Sequence, residues 1–196
     1  MNTLYPIFLR FENKQILLVG AGKAACEKIS FLLKCSPDAQ VTVVAEQACA
    51  AFLAAIEGFD KVQLVLKSYD STDVKNHHIV IVATNRRDLN ERIVADAHTN
   101  NLWINVADQP DLCDFYLGGI VTKGNLKIAI STNGKSPTIA KRLRQWLEEV
   151  LPDNIDELLE VMQQYRQSLR LDFEQKVALL AKHTAQLLPS SVSSNP

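Results

Sequence analysis

The chain has 196 residues and a formal charge of −1, from 21 Lys+Arg against 22 Asp+Glu. Hydrophobic residues make up 47% and charged residues 22%, proportions that exclude a wholly disordered chain, a collagen and a dense disulfide scaffold. The length suits one moderate domain with an appendage or two small ones. A charge near zero argues against a surface coated in positive charge for nucleic acid.

The N-terminal stretch MNTLYPIFLRFENKQ carries no long apolar run and is interrupted by Pro6, Arg10 and Glu12. Apolar runs elsewhere reach about five residues, against the roughly 20 that span a bilayer. A soluble, cytoplasmic protein is the expectation. Next comes QILLVG, a continuous apolar strand, followed by a helix from Lys23 to Lys34 with Ala24, Ile29, Leu32 and Leu33 inward. VTVVA (41–45) is a second strand, AFLAAIEGF is helical, and VQLVLK (62–67) and HIVIVAT (78–84) are two more strands. DLNERIVADAHTN (88–100) has helical spacing, and WINVA (103–107) closes the series. Unbroken Val/Ile strands separated by helices predict a parallel sheet covered on both faces. With right-handed crossovers this is a doubly wound, Rossmann-like α/β fold.

The pattern changes after Asp114. FYLGGIVTKGNLKIAIST contains two strand-like runs around Thr122-Lys123-Gly124-Asn125, a hairpin signal. Ser136-Pro137 then opens a helix that ends near Leu151-Pro152. Residues 153–187 read as two further helices, and PSSVSSNP as a polar, disordered tail.

Chemistry-bearing residues cluster in three places. Gly20-Ala21-Gly22-Lys23-Ala24-Ala25 follows a strand and opens a helix, a GxGxxA form of the dinucleotide fingerprint. Gly20 permits the tight turn, Gly22 lets a pyrophosphate approach the backbone, and Ala25 is small enough for the helix to pack on the strand. The free N–H groups of the helix start face the phosphates. Glu46, at the end of the second strand, is either an acceptor for a ribose 2′-OH or a helix-start residue. With no Arg or Lys adjacent in sequence, it favours NAD over NADP. Asp108 lies just past the fifth strand, where carboxyl ends of strands face the ligand crevice. There it serves either as an acid–base group or as the N-cap of a turn at Gln109-Pro110-Asp111.

The third feature is a charge island. Between Phe115 and Leu147 there is no acidic residue but six basic ones: Lys123, Lys127, Lys135, Lys141, Arg142 and Arg144. The remaining 15 basic and 22 acidic residues leave the rest of the chain at −7. The island attracts a polyanionic ligand or is a solvated face that balances acidic neighbours. Tyr116 and Trp146 are too few for a base-stacking nucleic-acid surface. The four cysteines, Cys26, Cys35, Cys49 and Cys113, form no CxxC pair, so they are expected as small buried apolar residues. His77, His78, His98 and His183 lack metal-ligand spacing, so no metal site is expected.

Taken in order, YPIFLRFENKQILLVGAGKAACEK, VTVVAE, IVIVATNRRDLN, NVADQPDLCDFYLGGIV and LKIAISTNGKSPTIAKRLR resemble the precorrin-2 dehydrogenase/sirohydrochlorin ferrochelatase family. That family includes the N-terminal module of siroheme synthases, and the likeness covers about residues 5 to 152. The resemblance implies NAD-dependent oxidation of precorrin-2 to sirohydrochlorin, with ferrous iron inserted as a second substrate in many members. It implies that Asp108 is catalytic and that Gly20 to Ala25 with Ala83, Thr84 and Asn85 line the NAD pocket. It further implies that Asn105, the loop Ser131, Thr132, Asn133, Gly134, Lys135 and Ser136, and Arg142 meet the polycarboxylate tetrapyrrole. Thr132 stands where some siroheme synthases carry a phosphorylatable serine. No methyltransferase module is expected within 196 residues, so a separate enzyme would supply precorrin-2.

On this reading residues 1–113 form the NAD-binding domain and 114–151 a hairpin-plus-helix dimerisation segment. Residues 152–188 form a small C-terminal helical domain, and 189–196 the tail. A homodimer is implied, with no nucleic-acid or membrane partner. Three rivals stand beside it: a dehydrogenase whose product is chelated by another protein, a non-catalytic NAD- or tetrapyrrole-binding module, and the NAD-binding regulatory domain of a transport system.

Overall fold

A computed structural model describes residues 4–184; the expected tail lies outside the described residues. Five strands, β1 (Gln15–Ala21), β2 (Gln40–Ala48), β3 (Val62–Leu66), β4 (Ile79–Val82) and β5 (Trp103–Val106), form one parallel sheet. Its order is β3-β2-β1-β4-β5. The chain therefore winds one way from β1 to β3 and then returns to the other side of β1. Between β1 and β4 lies the topological switch point, where the carboxyl ends of strands open a crevice.

Alternation along the strands divides the core in two. On one face Ile16, Leu18, Val41, Val43, Ile79 and Ile81 meet helix α1 (Lys23–Cys35) through Ala25, Ile29 and Leu33, and helix α2 (Ala50–Ile56) through Phe52. On the other, Leu17, Val19, Val80, Val82, Ile104 and Val106 meet helix α3 (Arg87–Thr99) through Ile93 and Ala97. Each such fully buried aliphatic side chain contributes about 1.5–3 kcal/mol. This double-sided burial explains why the strands read as unbroken apolar runs.

The described residues fall into two compact units. The first comprises the residues up to Gly118 together with Ser131–Pro137, the second Gly119–Ile130 and the residues from Thr138 onward. Residues 114–118 belong with the sheet because they are tied to β5: the Asp114 carboxylate accepts from the Ile104 N–H at 3.0 Å, and the Phe115 carbonyl from Asn105 Nδ2 at 2.8 Å. In the second unit, β6 (Gly119–Lys123) and β7 (Leu126–Ile130) form the expected antiparallel hairpin. Gly124 takes a positive φ of 53° at its two-residue tip. There Asp156 accepts from Asn125 N at 2.7 Å and from Asn125 Nδ2 at 2.9 Å. Helix α4 (Pro137–Val150) begins at the expected proline, and α5 (Ile155–Ser168) and α6 (Phe173–Thr184) follow.

Three expectations need correction. The second strand runs on to Ala48 instead of ending at Ala45. Between Val19 and Ala21 the β1–β2 register slips, so Val19 pairs with Val44 but Ala21 with Ala48; a bulge of this kind leaves no mark on hydrophobic alternation. The cysteines meet their expectation only in part: Cys26 and Cys113 pack half-buried against the two faces of the core, and none is fully buried. No disulfide joins them, Cys49 is exposed as the residue before α2, and Cys113 is a hub of polar contacts. Lys123 and Arg144, counted in the charge island, are ion-paired inside the second unit. Lys123 Nζ meets Asp153 at 2.7 Å and the Leu151 carbonyl, and Arg144 meets Glu148 at 2.7 Å.

Candidate dinucleotide site

The carboxyl ends of β1, β4 and β5, three neighbouring strands, carry the glycine turn, Ala83 to Asn85 and Asp108. At the end of β1, Gly20 has a φ of 105°. A Cβ there would stand 2.6 Å from the Ala83 carbonyl oxygen. Glycine is thus required twice, by conformation and by the close approach of β4. Gly22 differs. Its φ of −89° suits any residue, and a Cβ on it would meet nothing within 4 Å. The protein itself makes no demand for glycine here, so the open space beside its backbone suits a bound group pressing against the main chain. Gly22 caps α1 without any side-chain hydrogen bond, and no acidic residue stands in the first turn. The first N–H groups of the helix therefore remain for a ligand's phosphate oxygens. Lys23 is exposed, Ala24 half-buried and Ala25 fully buried against the sheet, as the fingerprint requires. These features fit a dinucleotide.

Glu46 lies in β2, within the stretch where the register slips, and not at a helix start. It is exposed, and its Oε1 accepts from Ser68 Oγ at 2.9 Å. Lys67, unnoticed in the sequence because 21 residues separate it from Glu46, comes close: its N–H donates to the Ala45 carbonyl at 2.9 Å. Its ammonium is held by Asp73 at 2.5 Å. Lys67 is therefore already engaged by a carboxylate, while the exposed Glu46 offers an oxygen that could accept from a ribose hydroxyl.

At the end of β4, Ala83 is buried and Asn85 exposed. Thr84 Oγ1 donates to Asn90 Oδ1 at 2.5 Å, and Asn90 Nδ2 donates to the Thr84 carbonyl at 3.2 Å. Asn90 is completely buried in α3. It was missed because an Asn at a helical position reads as polar surface. The signal available was its recurrence with Leu89 and Ile93 on the inward face.

At the end of β5, Asp108 is exposed and takes a left-handed φ of 59°. Its carboxylate has no hydrogen-bond partner among the described residues. It does not cap the following 3-10 turn (Pro110–Leu112), whose N-cap is Gln109. Asn105, 4% exposed, holds the Phe115 carbonyl through Nδ2, which leaves its Oδ1 buried and unpartnered. The Gln109 Oε1 is likewise buried without a partner. Each such orphan costs about 1–3 kcal/mol, and buried unpaired acceptors in a native fold mark sites completed by a ligand or water. An Arg87–Asp111 pair at 2.8 Å links the start of α3 to this turn and holds the Asp111 carboxyl below its usual range.

The loop Ser131–Pro137, part of the first unit, is braced on Thr132. Its hydroxyl accepts from Ser136 N at 3.3 Å and donates to the Ser136 carbonyl at 3.1 Å, while Asn133 and Gly134 are both left-handed. Lys135 is exposed. Arg142 lies in the second unit, exposed, 3.5 Å from Gln145 Oε1.

Fold and glycine turn together define a nucleotide-binding α/β module. A family model described as putative NAD(P)-binding matches residues 7–119, and one described as sirohaem biosynthesis protein central matches residues 123–149. The siroheme synthase of Vesicomyosocius okutanii is 37% identical over 173 residues, 88% of this chain and 36% of that protein. That of Psychromonas ingrahamii is 35% identical over 165 residues, 84% of this chain and 34% of its own length. A solved structure of SirC, a precorrin-2 dehydrogenase, superposes with a TM-score of 0.71 at 24% identity, over 91% of this chain and 88% of that one. The chain belongs to the siroheme synthase/precorrin-2 dehydrogenase–sirohydrochlorin ferrochelatase family, as its N-terminal module. It spans about a third of the curated relatives it matches.

Proposed function

We propose that this chain oxidises precorrin-2 to sirohydrochlorin with NAD. The observation that carries the reading is Asp108: an exposed carboxylate without a protein partner, in a left-handed conformation, on the crevice edge that also bears the glycine turn. When bound, NAD supplies the hydride acceptor. The α1 N–H groups and the Gly20–Ala25 turn hold its pyrophosphate, Glu46 takes the ribose hydroxyls, and Ala83, Thr84 and Asn85 floor the pocket. Asp108 takes up the proton that leaves the macrocycle as it is oxidised. Asn105 and the loop from Ser131 to Ser136 orient the tetrapyrrole, the exposed Lys135 draws its carboxylates, and the exposed Arg142 of the second unit adds long-range cationic attraction.

Insertion of ferrous iron, as a substrate, is the second activity of this reading. Asp108 would take one of the two pyrrole protons displaced by the metal, the other passing to water, and no residue is assigned as a resident metal ligand. Among the described residues no three His, Cys, Asp or Glu side chains gather as a metal site. The working form is a pair of copies joined through α4. Its Ile139, Leu143, Trp146 and Val150, spaced along one helical face, are all exposed, and α4 buries no residue of its own.

The test is NADH formation from enzymatically generated precorrin-2, followed by addition of ferrous ion. Asp108→Asn is expected to lower turnover by at least about 10²-fold while NAD binding stays near wild type. Wild-type turnover in this variant removes the assignment. Conversion of sirohydrochlorin to siroheme without NAD separates the bifunctional enzyme from a dehydrogenase alone. NAD or tetrapyrrole binding with no NADH formed identifies a non-catalytic module.

A further inference from the structure

One sulfur atom stitches together the turn that carries Asp108. Cys113 Sγ stands 3.1 Å from the Val106 N, 3.2 Å from the Val106 carbonyl oxygen and 3.3 Å from the Gln109 carbonyl oxygen. These partners lie on either side of Asp108 in the chain, so the thiol bridges the base of its loop. The Val106 N–H donates to the sulfur, and the single S–H proton is shared toward the two carbonyls. Burial pushes the thiol up from its ordinary titration range, which keeps that proton in place at neutral pH.

A further observation marks this pocket as more than local packing. Asn105, 4% exposed, approaches the same sulfur with Nδ2 at 3.6 Å, and its Oδ1 has no partner. Asp108 itself takes a left-handed φ of 59° within the bridged loop, a conformation open to aspartate at little steric cost, so its direction depends on what holds the loop. From outside the turn, the Arg87–Asp111 pair adds only an exposed contact, which is worth little. Inside the turn the sulfur reinforces backbone bonds from the Gln109 N–H to the Val106 carbonyl at 3.4 Å and from the Leu112 N–H to the Gln109 carbonyl at 3.1 Å, and it is the side chain that joins both carbonyls.

We infer that Cys113 is a positioning residue for Asp108, fixing the carboxylate's direction through hydrogen bonds to Val106 and Gln109. The inference rests on the reading of Asp108 given above. Cys113→Val keeps the volume and removes both hydrogen-bonding functions; Cys113→Ser keeps them. In the full chain with NAD and precorrin-2, Cys113→Val is expected to lower kcat on the order of 10- to 100-fold, the usual result of a slightly misplaced catalytic group. KM for precorrin-2 and Kd for NAD should stay within about threefold, and Cys113→Ser should restore most of kcat.

A Cys113→Val enzyme with wild-type kcat overturns the inference. So does a defect confined to KM, or a serine variant as slow as the valine one. If circular dichroism shows that Cys113→Val does not fold, Cys113→Ala takes its place under the same criteria. Asp108→Asn separates the two levels: full turnover there defeats the function itself. An inactive Asp108→Asn beside a fully active Cys113→Val defeats only the role of the thiol.

Discussion

The two units are built on different principles. Among the described residues, every buried hydrophobic side chain except Val121 belongs to the first unit. The second carries its apolar side chains outside: Ile139, Trp146, Val150, Val161, Phe173 and Val177 are each at least half exposed. A sheet covered on both faces satisfies its own core. An amphipathic helix such as α4 without a buried residue does not, and its apolar stripe gains free energy only when another surface covers it. The nucleotide module thus rests on its own packing, whereas the apolar surface of the second unit would gain stability from a covering partner, as the proposed pairing through α4 supplies.

Core truncation should have the largest effect. Phe52→Ala, at a completely buried position, should cost about 3–5 kcal/mol in urea unfolding. The same truncation at Trp146, 56% exposed, should cost less than about 1 kcal/mol in the isolated chain but shift sedimentation toward a smaller species. Equal losses at the two sites would erase the distinction.

Within the first unit the two glycines of the turn should respond differently to the same substitution. Gly20→Ala meets the Ala83 carbonyl and a positive φ, so a loss of about 2–4 kcal/mol is expected in thermal unfolding, together with lost NAD binding. Gly22→Ala meets no protein atom. Its melting temperature should hold while NAD titration shows weaker binding, by about tenfold or more for a blocked phosphate approach.

The smallest effect belongs to the second unit. Lys123 hydrogen-bonds Asp153 and lowers its pKa below the unfolded 3.8. A group depressed in the folded state stabilises fully above the unfolded value and loses that contribution as pH falls through the folded one. The melting difference between wild type and Asp153→Asn should therefore be present at neutral pH and vanish in strong acid. A difference that persists in acid would assign it to something other than charge.

Much of the first unit was legible because its signals are local. Unbroken Val/Ile runs, the glycine turn and the helical spacing from Ala25 to Leu33 each follow from nearest neighbours along the chain. The hairpin tip at Gly124-Asn125 and the Pro137 helix start were readable for the same reason. What stayed hidden depends on residues distant in sequence. The slipped register that carries Glu46 past the end of Val44 needs β1 beside it. The capture of Lys67 by Asp73, and of Lys123 by Asp153, appears only when separate elements meet. So does the burial of Asn90 under Thr84. The cationic island was visible as composition, but which of its charges remain available was not.

The main-chain geometry at Asp108 has a bearing on how the site is dissected. Only glycine, asparagine and aspartate enter a left-handed conformation without much steric cost. An alanine there would delete the carboxyl group and strain the peptide at once, so its inactivity would have two causes that kinetics alone cannot part. Asparagine removes the charge while accepting the same backbone. Glycine relaxes the backbone and removes the side chain. Used as a pair, they distinguish the chemistry of this position from its architecture.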